Sequence, residues 1–111
     1  MPEPVKVVFP VNCVGDHVLH SCRALMRALQ NPVQAEIVCC DAGVRLVLPR
    51  EPCSTETAAL LAHGVSVVVC QRSLDARAID RGLLLAGVTV VPDASRHLLA
   101  RERDGWHVLV L

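Results

Sequence analysis

Six cysteines stand in this chain of 111 residues, and three of them fall where an apolar run ends. Cys13 follows Val5–Phe9, Cys40 closes EIVCC, and Cys70 closes GVSVVVC. In a parallel sheet all carboxyl ends lie along one edge, and that edge is where open α/β sheets hold their ligands. Three thiols far apart in sequence can therefore face one crevice. Their chemistry would be nucleophilic, the thiolate being the reactive form. Cys70 leads, because Arg72 and a helix N-terminus predicted at Ser73 both favour its thiolate. Arg72, Arg77 and Arg81 would ordinarily form a solvated helix face; the functional alternative is that Arg72 holds an anionic sulfur species. The candidate binding residues around Cys70 are Arg72, Ser73, Cys13, Cys40 and Asn12.

The remaining thiols read differently. Neighbouring side chains on a strand point to opposite faces, so Cys39 and Cys40 cannot share one. Cys22 and Cys39 read as small buried hydrophobes. Cys53 lies in a loop with nothing nearby to activate it, and for Cys13 and Cys40 a structural role comes before a chemical one. His17 and His20, three apart, share a helix face. With Cys13, or with Cys13, Cys40 and Cys70 together, His17 offers a soft-metal alternative for zinc or copper(I). The ordinary reading is a solvated helix end, and no metal or cofactor is assigned. His63 suits the last turn of a helix, while His97 and His107 have no identifiable partner. The sequence contains no CxxC pair, Ser/His/Asp arrangement, glycine-rich phosphate loop or paired carboxylates.

The elements that must position these residues alternate between strand and helix. The first strand is Val5–Phe9, followed by a loop over 10–16 with Asn12, Cys13 and Gly15. A helix over 16–30 carries Val18, Cys22, Leu25, Met26 and Leu29 on one face, with Asp16 as its cap and Asn31-Pro32 as its stop. Glu36–Cys40 is the second strand and Val44–Leu48 a short helical segment. Ser54 or Thr55 caps a helix that stops at Gly64. Val65–Val69 is a strand buried on both faces. Ser73 caps a helix through Leu74, Ala78 and Ile79, which Gly82 interrupts. Val88–Val91 is the fourth strand, Asp93 or Ser95 caps a helix with Leu98 and Leu99, and Trp106–Leu111 is the last strand. This pattern predicts a single domain over 1–111, a three-layer α/β/α sandwich around a mostly parallel five-stranded sheet.

Composition narrows the function. Hydrophobic residues make up 52% of the chain, more than a domain this small can hide, so part of its surface is expected to meet another subunit. One Phe, one Trp and no Tyr leave no base-stacking platform. Eleven basic residues balance eleven acidic ones, so no nucleic acid is expected as partner. No apolar run approaches the ~18 residues of a membrane span, and MPEPVKVVF runs straight into a strand without signal-peptide anatomy. A cytoplasmic location with free thiols is the expectation.

The segment from Gly64 to Leu111 resembles the carboxyl half of the DsrE/DsrF/DsrH-like proteins, in particular the small YchN-like members. The shared pieces are Gly-Val-apolar-Cys-x-x-(Ser/Thr)-Leu, here Gly64–Leu74, and Leu-x-x-Gly-Val-x-Val-Val-Pro, here Leu84–Pro92. A helix and a Gly-aromatic strand follow, here Gly105-Trp106. EIVCCDAGVRLVL, 36–48, is similar to the family's Glu-Val-Val … Gly-x-x-Val-x-x-Leu-Leu, so the resemblance covers essentially the whole chain. It implies an α/β/α sandwich assembled as a trimer or hexamer. It also implies a role in sulfur relay with donor and acceptor proteins, the cysteine after the third strand carrying sulfur as a persulfide. That cysteine is Cys70; Cys13 and Cys40 are not part of the family pattern. The alternative function is an oligomeric module that binds a small ligand without catalysis.

Overall fold

The computed structural model describes residues 4–13, 16–28 and 33–110. Gly15, Leu29, Gln30, the Asn31-Pro32 stop and Leu111 lie outside the described residues, as do the side chains of Asp16, His17, Val18, Leu25 and Met26. The elements run β1 (Val5–Val11), α1 (Asp16–Ala28), β2 (Val33–Cys39), a 3-10 segment (Asp41–Val47) and α2 (Ser54–Ala62). There follow β3 (Ser66–Cys70), α3 (Gln71–Ala76), a 3-10 turn (Arg81–Leu83), β4 (Thr89–Val91), α4 (Ala94–Arg103) and β5 (His107–Val108). The five strands form one sheet in the order β4-β3-β2-β1-β5, every pairing parallel.

That order decides which face each helix covers. From β1 to β4 the chain steps across the sheet in one direction, so its crossovers fall on one face. From β4 to β5 it steps back past β1, and a crossover of the same hand must then lie on the opposite face. The two cores agree. Leu19 and Cys22 of α1, Val44, Leu46 and Val47 of the 3-10 segment, Leu60 of α2 and Leu74 of α3 pack with Phe9, Ile37, Val67 and Val69 on one side. Ala94 and Leu98 of α4 pack with Val8, Val38, Val68, Cys70 and Trp106 on the other. Successive valines of β3 thus go to different cores, which is why this strand is an unbroken apolar run. The sheet is sandwiched as the sequence predicts, and it is parallel throughout.

Several boundaries differ from expectation. β1 extends through Pro10 to Val11, because β5 pairs only with Val7 and Val8, so no β5 strand lies beside Pro10 to need its absent N–H. β2 starts earlier, at Val33, and pairs with β1 from its first residue. The residue capping α2 is Cys53, whose thiol donates to the Arg45 carbonyl at 3.7 Å rather than to the helix N-terminus, and the Ser54 hydroxyl donates to the Pro49 carbonyl at 3.1 Å. Neither Ser54 nor Thr55 is the cap. Within the described part of the strand expected at Trp106–Leu111, the paired residues are His107 and Val108. Asp93 caps α4 as one of the two expected candidates, its Oδ1 accepting from the Ser95 N–H at 3.0 Å. Gly64 ends α2 with φ +88°, the left-handed conformation that favours glycine.

One glycine holds the sheet edge together. A Cβ on Gly43 would lie 2.1 Å from the Val11 carbonyl oxygen. Only a residue without a side chain lets the 3-10 segment return against the end of β1.

Candidate functional site

At the carboxyl edge of the sheet, the ends of β2 and β3 and the start of α4 enclose a cleft of about 330 Å³. Cys40, Asp41, Cys70, Arg72, Ser73, Asp93 and Ser95 contribute its polar and sulfur lining. The strand-to-helix turn after β3 builds the Cys70 environment. Cys70 is itself the residue that caps α3, in extended conformation with φ −82° and ψ 120°. Ser73 is therefore not the cap expected from the sequence. It lies inside the first turn, and the helix ends at Ala76 rather than continuing to Ala78 and Ile79.

This placement gives Ser73 two neighbours. Its Oγ accepts from the Asp41 N–H at 2.9 Å, tying the residue after β2 to the turn after β3. Its hydroxyl also favours the Cys70 thiolate. From the other side of the cleft, the Ala94 N–H at the start of α4 donates to Cys70 Sγ at 3.4 Å. Cys70 is 4% exposed. Burial works against its thiolate, but the Ser73 hydroxyl and the N–H groups of Ala94, Ser73 and Arg72 outweigh it, so the thiol titrates below its ordinary value. Hydrogen bonds to the charged form are the cause of such a shift.

Arg72 stands at the rim, its guanidinium 3.2 Å from Asp93 Oδ2. The Ser95 N–H above all, with the cations Arg72 and Arg96, holds the Asp93 carboxyl below its usual range against the effect of burial. Cys40 lines the same cleft and behaves in the opposite way. Its Sγ–H donates to the Val11 carbonyl at 3.7 Å, and burial, Asp41 and the neighbouring Cys70 push its thiol up. Asp41 itself has φ +50°, a left-handed conformation that costs a non-glycine residue about 1 kcal/mol or more and sits where strain at functional sites concentrates.

Of the three cysteines expected at one crevice, the fold brings two together. Cys13 and Asn12 are exposed beyond β1 and are not among the residues lining the cleft. Among the described residues no group of three or more His, Cys, Asp or Glu could hold a metal ion, so Cys13, Cys40 and Cys70 do not assemble the soft-metal site. Cys22 and Cys39 are core residues. Burial pushes the Cys22 thiol up to about 12, and Cys39 is raised as well, first by burial and then by Cys40 and Cys53.

A second polar cluster escaped the sequence reading. Glu36, inside β2, is 1% exposed. Its carboxylate meets His97 Nε2 at 2.5 Å, Arg101 Nε at 3.1 Å and Nη2 at 2.9 Å, and the Ser66 hydroxyl at 3.0 Å. His97 therefore has a partner after all. Arg101 also stacks over Trp106, its guanidinium carbon 4.6 Å from the ring centroid. Burial raises the Glu36 carboxyl, but Arg101, His97 and Ser66 outweigh that and leave it below its ordinary value. The signal was present in the sequence: His97 and Arg101 are four apart on one helix face, and a lone Glu interrupts an apolar strand.

No family model matches the sequence, and no curated protein does. Solved structures do. A protein of unknown function, MTH1491 from Methanobacterium thermoautotrophicum, superposes with a TM-score of 0.89 over 96% of this chain and 99% of its own, at 27% identity. The ychN protein from E. coli superposes with a TM-score of 0.68 over 99% of this chain and 100% of its own, at 20% identity. The chain has the YchN-like fold. No helix among the described residues is long and apolar enough to cross a membrane.

Proposed function

We propose that this protein is a sulfur carrier of the DsrE/DsrF/DsrH-like kind that holds sulfane sulfur as a persulfide on Cys70 and passes it to a partner thiol. The observation that carries this reading is a thiol lining a cleft with a hydroxyl and backbone N–H groups directed at it, so that the thiolate is favoured despite burial. The thiolate attacks the terminal sulfur of a persulfide or polysulfide donor. The new S–S bond forms on Cys70, and the donor thiol leaves with the proton. The outer sulfur then lies in the cleft beside the Arg72 guanidinium, and an acceptor thiolate removes it by the reverse attack.

The donor and acceptor are proteins or small thiols of a reducing compartment such as the cytoplasm. The working form is a homo-oligomer, a trimer or hexamer. Leu99, Val108, Leu109 and Val110, exposed along α4 and the end of the chain, support that assembly.

Alkylation of the native protein by iodoacetamide across pH, read per cysteine by peptide mass spectrometry, tests the thiol. Polysulfide treatment followed by intact mass tests the carrier. Cys70 is expected to react well below the ordinary thiol pKa of ~8.5 and to gain one sulfur, and Cys70→Ser to gain none. A Cys70 that stays silent in the folded protein sinks the proposal.

A further inference from the structure

The structure places a second thiol beside the first, on the neighbouring strand and the same face. β2 and β3 pair in parallel register, Val38 with Val68 and Cys39 with Val69. One residue further along, Cys40 stands across from Cys70. Both side chains go to the α4 side of the sheet, where Cys70 is a core member and Cys40 packs against it, and both line the same cleft. Adjacent strands lie about 4.8 Å apart, inside the ~4.4–6.8 Å between Cα atoms that a disulfide spans. The Asp41 N–H bond to Ser73 Oγ ties the end of β2 to the turn after β3 just beyond the sheet, while the Cys40 N–H bond to the Val11 carbonyl at 3.0 Å fixes Cys40 against the end of β1.

Building on the carrier reading, we propose that Cys40 is a resolving thiol for the Cys70 persulfide, releasing its outer sulfur as hydrogen sulfide and leaving a Cys40–Cys70 disulfide. In this step Cys40 sulfur attacks the inner sulfur of the persulfide. The Cys40–Cys70 bond forms as the bond from Cys70 to the outer sulfur breaks, and the outer sulfur departs as hydrosulfide carrying the Cys40 proton. The sulfane sulfur is reduced and the two cysteine sulfurs share the oxidation, so no external oxidant enters. Thiol–disulfide exchange with an external dithiol, which becomes oxidised, regenerates both thiols. The arrangement gives a loaded carrier two exits: transfer of sulfane sulfur to a partner, or release of sulfide when no acceptor occupies the cleft. Burial, Asp41 and Cys70 itself raise the Cys40 thiol, so at rest it keeps its proton and does not compete with Cys70 for the incoming sulfur.

The test loads reduced wild-type protein, Cys40→Ser, Cys40→Ala and Cys70→Ser with inorganic polysulfide under anoxia, removes the excess, and follows intact mass and free sulfide with time. Wild type is expected to gain one sulfur, then release it as sulfide while becoming two hydrogens lighter than the reduced chain. Peptides containing Cys40 and Cys70 should then be linked. Both Cys40 variants should hold the added sulfur at least about tenfold longer and give no linked peptide. Sulfur that is taken up but leaves the Cys40 variants as fast as wild type overturns the release step and spares the carrier. Failure of Cys70 to take up sulfur in all the proteins overturns the carrier and the release step with it.

Discussion

Ser73 separates the effect of a hydrogen bond from the effect of burial at Cys70. Burial alone raises a thiol, as Cys22 illustrates, and Cys70 goes the other way because donors surround it. Ser73→Ala removes the hydroxyl and leaves the fold of the turn to the backbone. The alkylation profile of Cys70 is then expected to move to higher pH, approaching an ordinary thiol, while Cys22 and Cys39 remain unreactive. Because the folded-state pKa of Cys70 lies below its unfolded value, its thiolate stabilises the fold above the unfolded pKa. That contribution is lost as pH falls through the folded value, and the variant should show less of it. The Asp41 N–H also loses its acceptor, at a cost of about 1 kcal/mol in denaturant unfolding. Glu36→Gln is the counterpart on the far side of the same core. It leaves Arg101, 32% exposed at its side chain, without its carboxylate, and about 3 kcal/mol of stability should go with it. The Glu36 pKa is depressed below its ordinary 4.5, so the carboxylate's contribution is present above that value and lost as pH falls through the folded pKa. Acid unfolding of the wild type should steepen in that window, and the variant should lack this part of the slope.

At the level of elements, the 3-10 segment after β2 decides whether the cleft exists. It must leave the sheet at Cys40, pass Asp41 in a left-handed conformation, and return against β1 at Gly43. Gly43→Ala forces a Cβ into the Val11 carbonyl and is expected to cost about 2 kcal/mol. Loss of Cys70 reactivity should accompany it, because the same movement displaces Asp41 from Ser73. The alternation of strands and helices was legible from hydrophobic period and turn residues alone, and so was the position of Cys70 at the end of β3. The helix cap after it was not. Ser73 fits a cap by type and Cys70 does not, and only the backbone decides that the turn begins at Gln71. The pairing of Cys40 with Cys70 depends on register between β2 and β3, which no local pattern in either strand encodes. The Glu36 cluster joins residues about 60 apart in sequence, and Cys13 falls away from the cleft for the converse reason: its strand ends at the right edge, but its side chain meets solvent rather than the neighbouring loop.

The whole molecule is lopsided. Of the α-helices, α1, α2 and α3 cover one face of the sheet, while α4 alone serves the other, and among the described residues the exposed large apolar side chains other than Leu83 lie at and beyond α4. Val110 is 81% exposed. Sedimentation velocity is expected to give a mass several times that of one chain. Val110→Asp, a charge placed on that surface, should shift the distribution toward smaller species; an unchanged monomer in both proteins would remove the oligomer from the functional reading. α4 is also the element that joins the two polar clusters, with Ala94 at its start bonded to Cys70 and Arg101 near its end clasping Glu36 and lying on Trp106. That ring is the only indole in a chain with no tyrosine. Its fluorescence is thus free of any competing phenol and is sensitive to the cation stacked on it. Emission from this one fluorophore follows the seating of α4, so the arrival of a second sulfur behind the Ala94 N–H can be watched in real time without a label.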